Sequence, residues 1–190
     1  MAVFGPTSSS LPSATLLVRP MRMTDVCEAY LDTLNDKAYM RYSRQRELTH
    51  SEQTACKYIS DLRDSQGEIF ACFDRCSLDM VATVTVRFSE DGAEAHMGLL
   101  TLRSHRGTGR GLESWTTVLK WVCEIPSIDI VRAGTHAANR PMQKILKSSG
   151  FQELPHDEQQ PSVRKFARTC GNCMSPSSPR ATSVPLTSAL

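Results

Sequence analysis

The chain has 190 residues, 40% of them hydrophobic and 22% charged, with a net charge of +2. That length suits one domain with tails rather than two full domains, and a body of roughly 150 residues can bury about two thirds of the surface its unfolded form exposes. No apolar run is long enough to span a membrane, and residues 1–160 hold all 20 acids against 18 bases, unlike the dense basic face of a nucleic-acid binder.

Residues 1–13 are rich in Ser, Thr and Pro and read as a disordered segment. A compact domain is expected over 14–168. A first strand is predicted over 15–19, ending at Pro20. Thr24 and Asp25 offer an N-cap to a helix that carries Val26, Tyr30, Leu31 and Leu34 at helical spacing. Thr49 or Ser51 caps a second helix, with Ala55, Tyr58, Ile59 and Leu62 on one stripe, and Gln66-Gly67 stops it. Arg41, Arg44 and Arg46 lie between these helices and read as a solvated loop.

Strands follow at 69–73 and 80–88. The second alternates: Met80, Ala82, Val84, Val86 and Phe88 face one way, and Val81, Thr83, Thr85 and Arg87 face the other. Asp91-Gly92 marks a hairpin turn into a strand over 94–102. A helix then carries Leu112, Trp115, Val118, Leu119 and Val122. Residues 128–133 read as a buried strand. A helix starting near Asn139 and Pro141 ends at Gly150, and strands at 151–154 and 163–168 complete the body. Residues 169–190 form a second disordered segment, since ten of the 21 residues from Cys170 onward are Ser, Thr or Pro. The fold class is α/β (α+β), with a mixed, largely antiparallel central sheet and helices on both faces.

Seven cysteines are scattered without a framework, and the first residues lack a secretory pattern, so a reducing cytoplasm is the expected setting. Cys170 and Cys173 form a single C-x-x-C pair. A structural zinc needs four ligands, so no metal is expected.

The most informative segment is R-G-T-G-R-G: Arg106, Gly107, Thr108, Gly109, Arg110 and Gly111. It stands between a strand and a helix. Successive main-chain N–H groups in such a turn form an anion cradle, and the helix adds its free N–H groups and positive dipole end. Glycine permits close approach and positive φ, and the two arginines add charge. A nucleotide P-loop is excluded because no Lys-Ser or Lys-Thr follows the glycines. The dinucleotide fingerprint fails at its third glycine, which is Leu112 here.

R-x-x-G-x-G at this junction, in this element order, resembles the GNAT N-acetyltransferases. A second stretch, from Asn139 through Met142, Lys144 and Leu146 to Gly150-Phe151, is similar to that family's N-x-x-(M/S)-x-(K/R)-x-(L/Y)-x-x-x-G-F pattern. The opening L-L-V-R-P-M-R-M-T-D-V resembles the subgroup that includes the ribosomal-protein alanine N-acetyltransferases.

The resemblance implies an acyl-CoA N-acyltransferase fold in which the strand before the glycine turn splays from its parallel neighbour, with Gly98 marking a bulge that opens the gap. It implies acetyl-CoA as co-substrate, its pyrophosphate on residues 106–111 and its arm on the main chain of Leu100 and Leu102 and on Asn139. It also implies direct attack by a primary amine, on a small molecule or a peptide, and leaves room for a homodimer. His96 and Glu94, two residues apart on one strand face, are the candidate bases. His136 reads as structural. The sequence departs from the family where a Tyr or Ser protonates the leaving thiolate: the corresponding positions are Leu146 and Met142. A non-catalytic acyl-CoA-binding or regulatory module is the alternative.

Overall fold

The computed structural model describes residues 10–155, 158 and 160–171. Most of the two segments read as disordered, 1–9 and 172–190, lies outside the described residues.

Among the described residues, seven strands share one sheet in the order β1-β2-β3-β4-β5-β7-β6. They are β1 (Leu16–Pro20), β2 (Gly67–Asp74), β3 (Met80–Phe88), β4 (Glu94–Thr101), β5 (Ile130–His136), β6 (Gln152–Glu153) and β7 (Val163–Thr169). Every neighbouring pair is antiparallel except β4 with β5. Four α-helices complete the fold among the described residues: α1 (Glu28–Asn35), α2 (Glu52–Asp64), α3 (Arg110–Cys123) and α4 (Arg140–Ser148). The chain order is the one the hydrophobic periodicities predict.

Each sheet face carries its own core. On one, α3 and α4 lay Trp115, Val118, Leu119, Val122 and Leu146 against Val18, Phe70, Val84, Ala95 and Met97. On the other, α1 and α2 lay Tyr30, Leu34, Ile59 and Leu62 against Ile69, Ala71 and Leu102. Trp115 is fully buried, and its ring meets Phe151 at 5.6 Å between centroids. Removing such a side chain costs about 3–5 kcal/mol. Trp121 is only partly buried and makes edge contacts with Phe70 and Phe88.

Local signals work where they are self-contained. Ser51 caps α2 by accepting from the Thr54 N–H, and Thr54 reciprocates toward the Ser51 N–H. The α2 helix ends at Asp64, and Gln66, two residues on with a φ of 58°, turns the chain into β2. Asn139 caps α4, and Pro141 sits in its first turn.

Elsewhere the structure departs from the expected one. Thr24 and Asp25 do not cap α1, which begins after Cys27. Asp25 instead takes a bidentate pair from Arg19, at 2.6 and 2.8 Å, and accepts from the Arg22 N–H. The fifth strand starts two residues late and runs to His136, because Ile128 closes a turn on Ile125 while β7 pairs with β5 along its full length. Gly98 makes no bulge: it pairs in unbroken register with Thr85.

The packed body also reaches further at both ends than composition suggests. Leu11 is buried and bridges Val18. Cys170 is buried and joined to Cys123 by a disulfide, with Cα atoms 5.1 Å apart. Cysteine spacing pairs none of the seven, because the end of α3 and the end of β7 meet only once the sheet is assembled.

Candidate active site

Strands β4 and β5 pair at only three positions: Glu94 with Ile130, Ala95 with Val131 and His96 with Arg132. Beyond them β4 continues to Thr101 and β5 to His136 without pairing to each other. β5 keeps β7 on its far edge as far as His136–Val163, and β4 keeps β3 as far as Thr101–Ala82. The gap is therefore a splay between two strands each held from outside.

Which main-chain groups face the gap follows from strand parity. Ser89 N–H donates to Glu94 O, and Leu102 N–H donates to Val81 O. The even-numbered residues of β4 thus turn their polar groups toward β3. Ala93 O, of odd number, accepts from Asp129 on the β5 side. Met97, Leu99 and Thr101 consequently present N–H and C=O to the splay. Leu100 and Leu102, expected from sequence to line the gap, face away from it with their main chains. Their side chains serve the α1–α2 core instead.

At the far end of β4 a short turn (Arg103–His105) leads into the glycine segment. Gly107 and Gly109 have φ of 79° and 83°, and a Cβ on either would meet nothing within 4 Å. The turn is therefore open where an anion would approach. Thr108 closes it by donating its hydroxyl to His105 O at 2.7 Å. Gly109 is the N-cap of α3, so the first N–H groups of that helix point into the same space. Gly111 also serves packing, since a Cβ there would collide with the Thr101 side chain.

The two arginines of the segment separate. Arg106 makes no ion pair among the described residues, and its guanidinium lies 5.8 Å from the Tyr39 ring centroid. Arg110 does not offer its side chain to the turn. It pairs with Asp74, contacts Thr15 Oγ1, and reaches Glu113 at 3.4 Å. This ties the start of α3 to β1 and β2, leaving Arg110 only its main-chain N–H for an anion.

Asn139 is committed on both sides of its amide. Its Oδ1 accepts from the Met142 N–H, and its Nδ2 donates to Thr135 Oγ1 at 3.0 Å. Leu146 is buried and Met142 is partly buried, so α4 brings no acidic proton to the splay from either position.

His96 and Glu94 share the face covered by α1 and α2, beside the vertex where pairing ends. Glu94 receives Arg132 Nε and Nη2, each at 2.6 Å. Those hydrogen bonds hold its carboxyl below the usual range of a glutamic acid, against a smaller opposing effect of burial. A carboxylate so engaged is a poor base, which favours His96 of the two candidates. His96 is exposed, and its Nε2 lies 4.0 Å from Glu94 Oε2.

Two tyrosines join the site that no sequence motif marks. Tyr39, between α1 and α2, donates to Thr101 O at 2.7 Å, and burial raises its phenol above the usual range. Tyr42 stacks on His136 with centroids 5.2 Å apart. One short segment therefore touches both walls of the splay. An aromatic pair in a polar segment is the only signal that could have found them. His136 accepts from the Ala138 N–H, in keeping with a structural role. Arg46 pairs with Glu47 and donates to Arg41 O, a local arrangement. Among the described residues no cluster of three metal-binding side chains occurs, and no helix is long and apolar enough to cross a membrane.

A sheet opened between β4 and β5, with a glycine cradle at the end of β4, defines a class of acyl-CoA-dependent transferases. The family model of the GNAT acetyltransferase domain matches residues 15–152. The chain belongs to that family and is an enzyme of the N-acetyltransferase class.

Solved structures agree in fold. The ribosomal L7/L12 α-N-protein acetyltransferase RimL, in complex with coenzyme A, superposes with a TM-score of 0.75 at 14% identity, covering 86% of this chain and 99% of that one. The spermidine N-acetyltransferase of Vibrio cholerae, in complex with coenzyme A and spermine, gives 0.70 at 14%, over 83% and 97%. The ribosomal-protein-S5-alanine acetyltransferase of Vibrio fischeri gives 0.66 at 13%, over 86% and 97%. No curated protein matches the sequence.

Proposed function

We propose that this enzyme moves the acetyl group of acetyl-CoA to a primary amine by direct attack in a ternary complex. The observation that carries the reading is the ending of β4–β5 pairing at His96 and Arg132, on the strand whose far end opens into the Gly107–Gly109 turn. A pyrophosphate fits the cradle of Gly107, Thr108, Gly109 and Gly111 main chain with Arg106 beside it. The amides of a pantetheine arm complement the outward N–H and C=O groups of Met97, Leu99 and Thr101. Asn139 holds α4 in place rather than reaching the arm.

The thioester then comes to the vertex of the splay. An amine approaching over the α1–α2 face meets His96, which takes its proton while Glu94 and Arg132 steady the surroundings. A splay-facing N–H of Met97 or Leu99 stabilises the oxyanion. Much of the rate comes from holding amine and thioester together. With Met142 and Leu146 on α4, the thiolate takes its proton from water. The reading carries a cytoplasmic setting, where glutathione would hold Cys123 and Cys170 as thiols.

Thermal stability with acetyl-CoA, compared with ATP and NAD, tests the first half. A ligand at a hundredfold excess over its Kd stabilises by about 2.7 kcal/mol. The shift is expected with acetyl-CoA alone, and it disappears in Gly109→Glu, whose carboxylate would stand in the cradle. Thiol release with a panel of amines tests the second half. Binding without turnover on any amine would select a non-catalytic module.

A further inference from the structure

We infer that the acceptor carries an anionic group one or two residue lengths from its amine, and that Arg87 selects for it; this rests on the acetyl-transfer reading above. The register aligns Arg87 of β3 with His96 of β4, and His96 with Arg132 of β5. The three side chains form one row across the sheet, on the α1–α2 face, at the vertex of the splay. Neighbouring strands lie about 4.8 Å apart, so Arg87 stands one strand from the histidine that receives the amine's proton.

The opposite face is closed to an acceptor. Ala95 and Met97 are buried there among Trp115, Val118 and Leu146. An amine must therefore approach over the face that carries this row.

The charges of the row are unequally compensated. Glu94 binds Arg132 through two hydrogen bonds of 2.6 Å and neutralises it. Arg87 is exposed and pairs with no carboxylate among the described residues. It donates to the Tyr58 hydroxyl at 3.0 Å and lies 5.8 Å from the centroid of that ring. Tyr58 thus restrains the guanidinium without cancelling its charge, leaving other N–H groups of its fork for a carboxylate or phosphate.

A cationic acceptor such as a polyamine would bring a second positive charge beside Arg87. A peptide N-terminus with Asp or Glu as its second or third residue would place a carboxylate there, since two extended residues span about 7 Å. An anion at that position also steers the amine toward the vertex.

The test measures kcat/KM by thiol release for three acceptors: a short peptide with acidic second and third residues, its lysine counterpart, and spermidine. The enzymes are wild type, Arg87→Glu and Arg87→Lys, with the acetyl-CoA melting shift recorded for each. Wild type should favour the acidic peptide at least tenfold. Arg87→Glu should reverse that ratio at least tenfold, and Arg87→Lys should retain part of it, with the acetyl-CoA shift equal in all three.

The inference is overturned if wild type treats both peptides alike or prefers spermidine, or if Arg87→Glu leaves the ratio unchanged. It is also overturned if acetyl-CoA shifts the melting while no acidic peptide is acetylated, an outcome that leaves the cofactor half of the reading standing. Absence of any acetyl-CoA shift removes the reading itself, and this inference with it.

Discussion

The Tyr39 hydroxyl donates to the main-chain oxygen of Thr101 at 2.7 Å, across 62 residues of sequence. Thr101 belongs to the odd-numbered row of β4 that faces the splay. A segment between α1 and α2 thus occupies one of the acceptors that the pantetheine arm would use. Tyr42, three residues on, rests on His136 at the opposite wall.

This contact places the phenol in competition with the arm. Tyr39→Phe should tighten acetyl-CoA binding by about threefold, within the net worth of one hydrogen bond. Titration calorimetry reads the change directly. A tenfold weakening would mean that Tyr39 supports the arm instead, through its contact with Arg106.

Arg106 and Arg110 should behave differently when truncated. Arg106→Ala removes a cation that makes no ion pair among the described residues and should weaken acetyl-CoA binding about tenfold with little change in melting temperature. Arg110→Ala breaks the contacts with Asp74, Thr15 and Glu113. It should lower the melting temperature by a few degrees and alter affinity less than threefold. Paired melting and binding measurements distinguish the two, and equal loss of affinity in both variants would contradict the geometry.

Glu94 supplies a pH dependence of definite sign. Its folded carboxyl lies below the ordinary value of 4.5, chiefly through hydrogen bonds from Arg132. Its contribution to stability is therefore complete above pH 4.5 and disappears as pH falls through the lower folded value. Urea midpoints between pH 3 and 6, a range of about one unit or more around the ordinary carboxyl value, should show a smaller acid loss in Glu94→Gln than in wild type. An acid limb of activity near neutrality cannot come from Glu94, which is already ionised there. His96 is the proposed base, so His96→Gln should lower the rate about a hundredfold. An unchanged rate in His96→Gln would exclude His96 as the base.

The Cys123–Cys170 bridge spans 47 residues of sequence. A loop of that size stabilises a fold by about 2–4 kcal/mol when closed. Dithiothreitol should lower the urea midpoint of oxidised wild type accordingly and leave Cys123→Ser unchanged. An equal response in both would show that the bridge contributes nothing.

Much of this was legible in residue order, and the reasons are local. The alternation from Met80 to Phe88 and the spacing of Trp115, Val118, Leu119 and Val122 are properties of one element at a time. Gly107 and Gly109 were legible because a tight turn at a helix start demands positive φ. Leu100 and Leu102 were misassigned for a related reason. Alternation shows which residues share an edge, but the edge that bonds β3 is decided only when β3 arrives. Arg110 looked like a phosphate ligand because its partner, Asp74, is 36 residues away.

Sequence alone determined the order of the elements, the open glycine turn and the pair of candidate bases, because propensity, periodicity and backbone sterics act over a few neighbouring residues. Tertiary structure decided that β4 and β5 part after His96, that Glu94 is held by Arg132, that Arg87 stands without a carboxylate among the described residues, and that Tyr39 reaches Thr101. Each of these depends on which distant groups packing brings within hydrogen-bond reach, and that is a property of the assembled sheet rather than of any one segment.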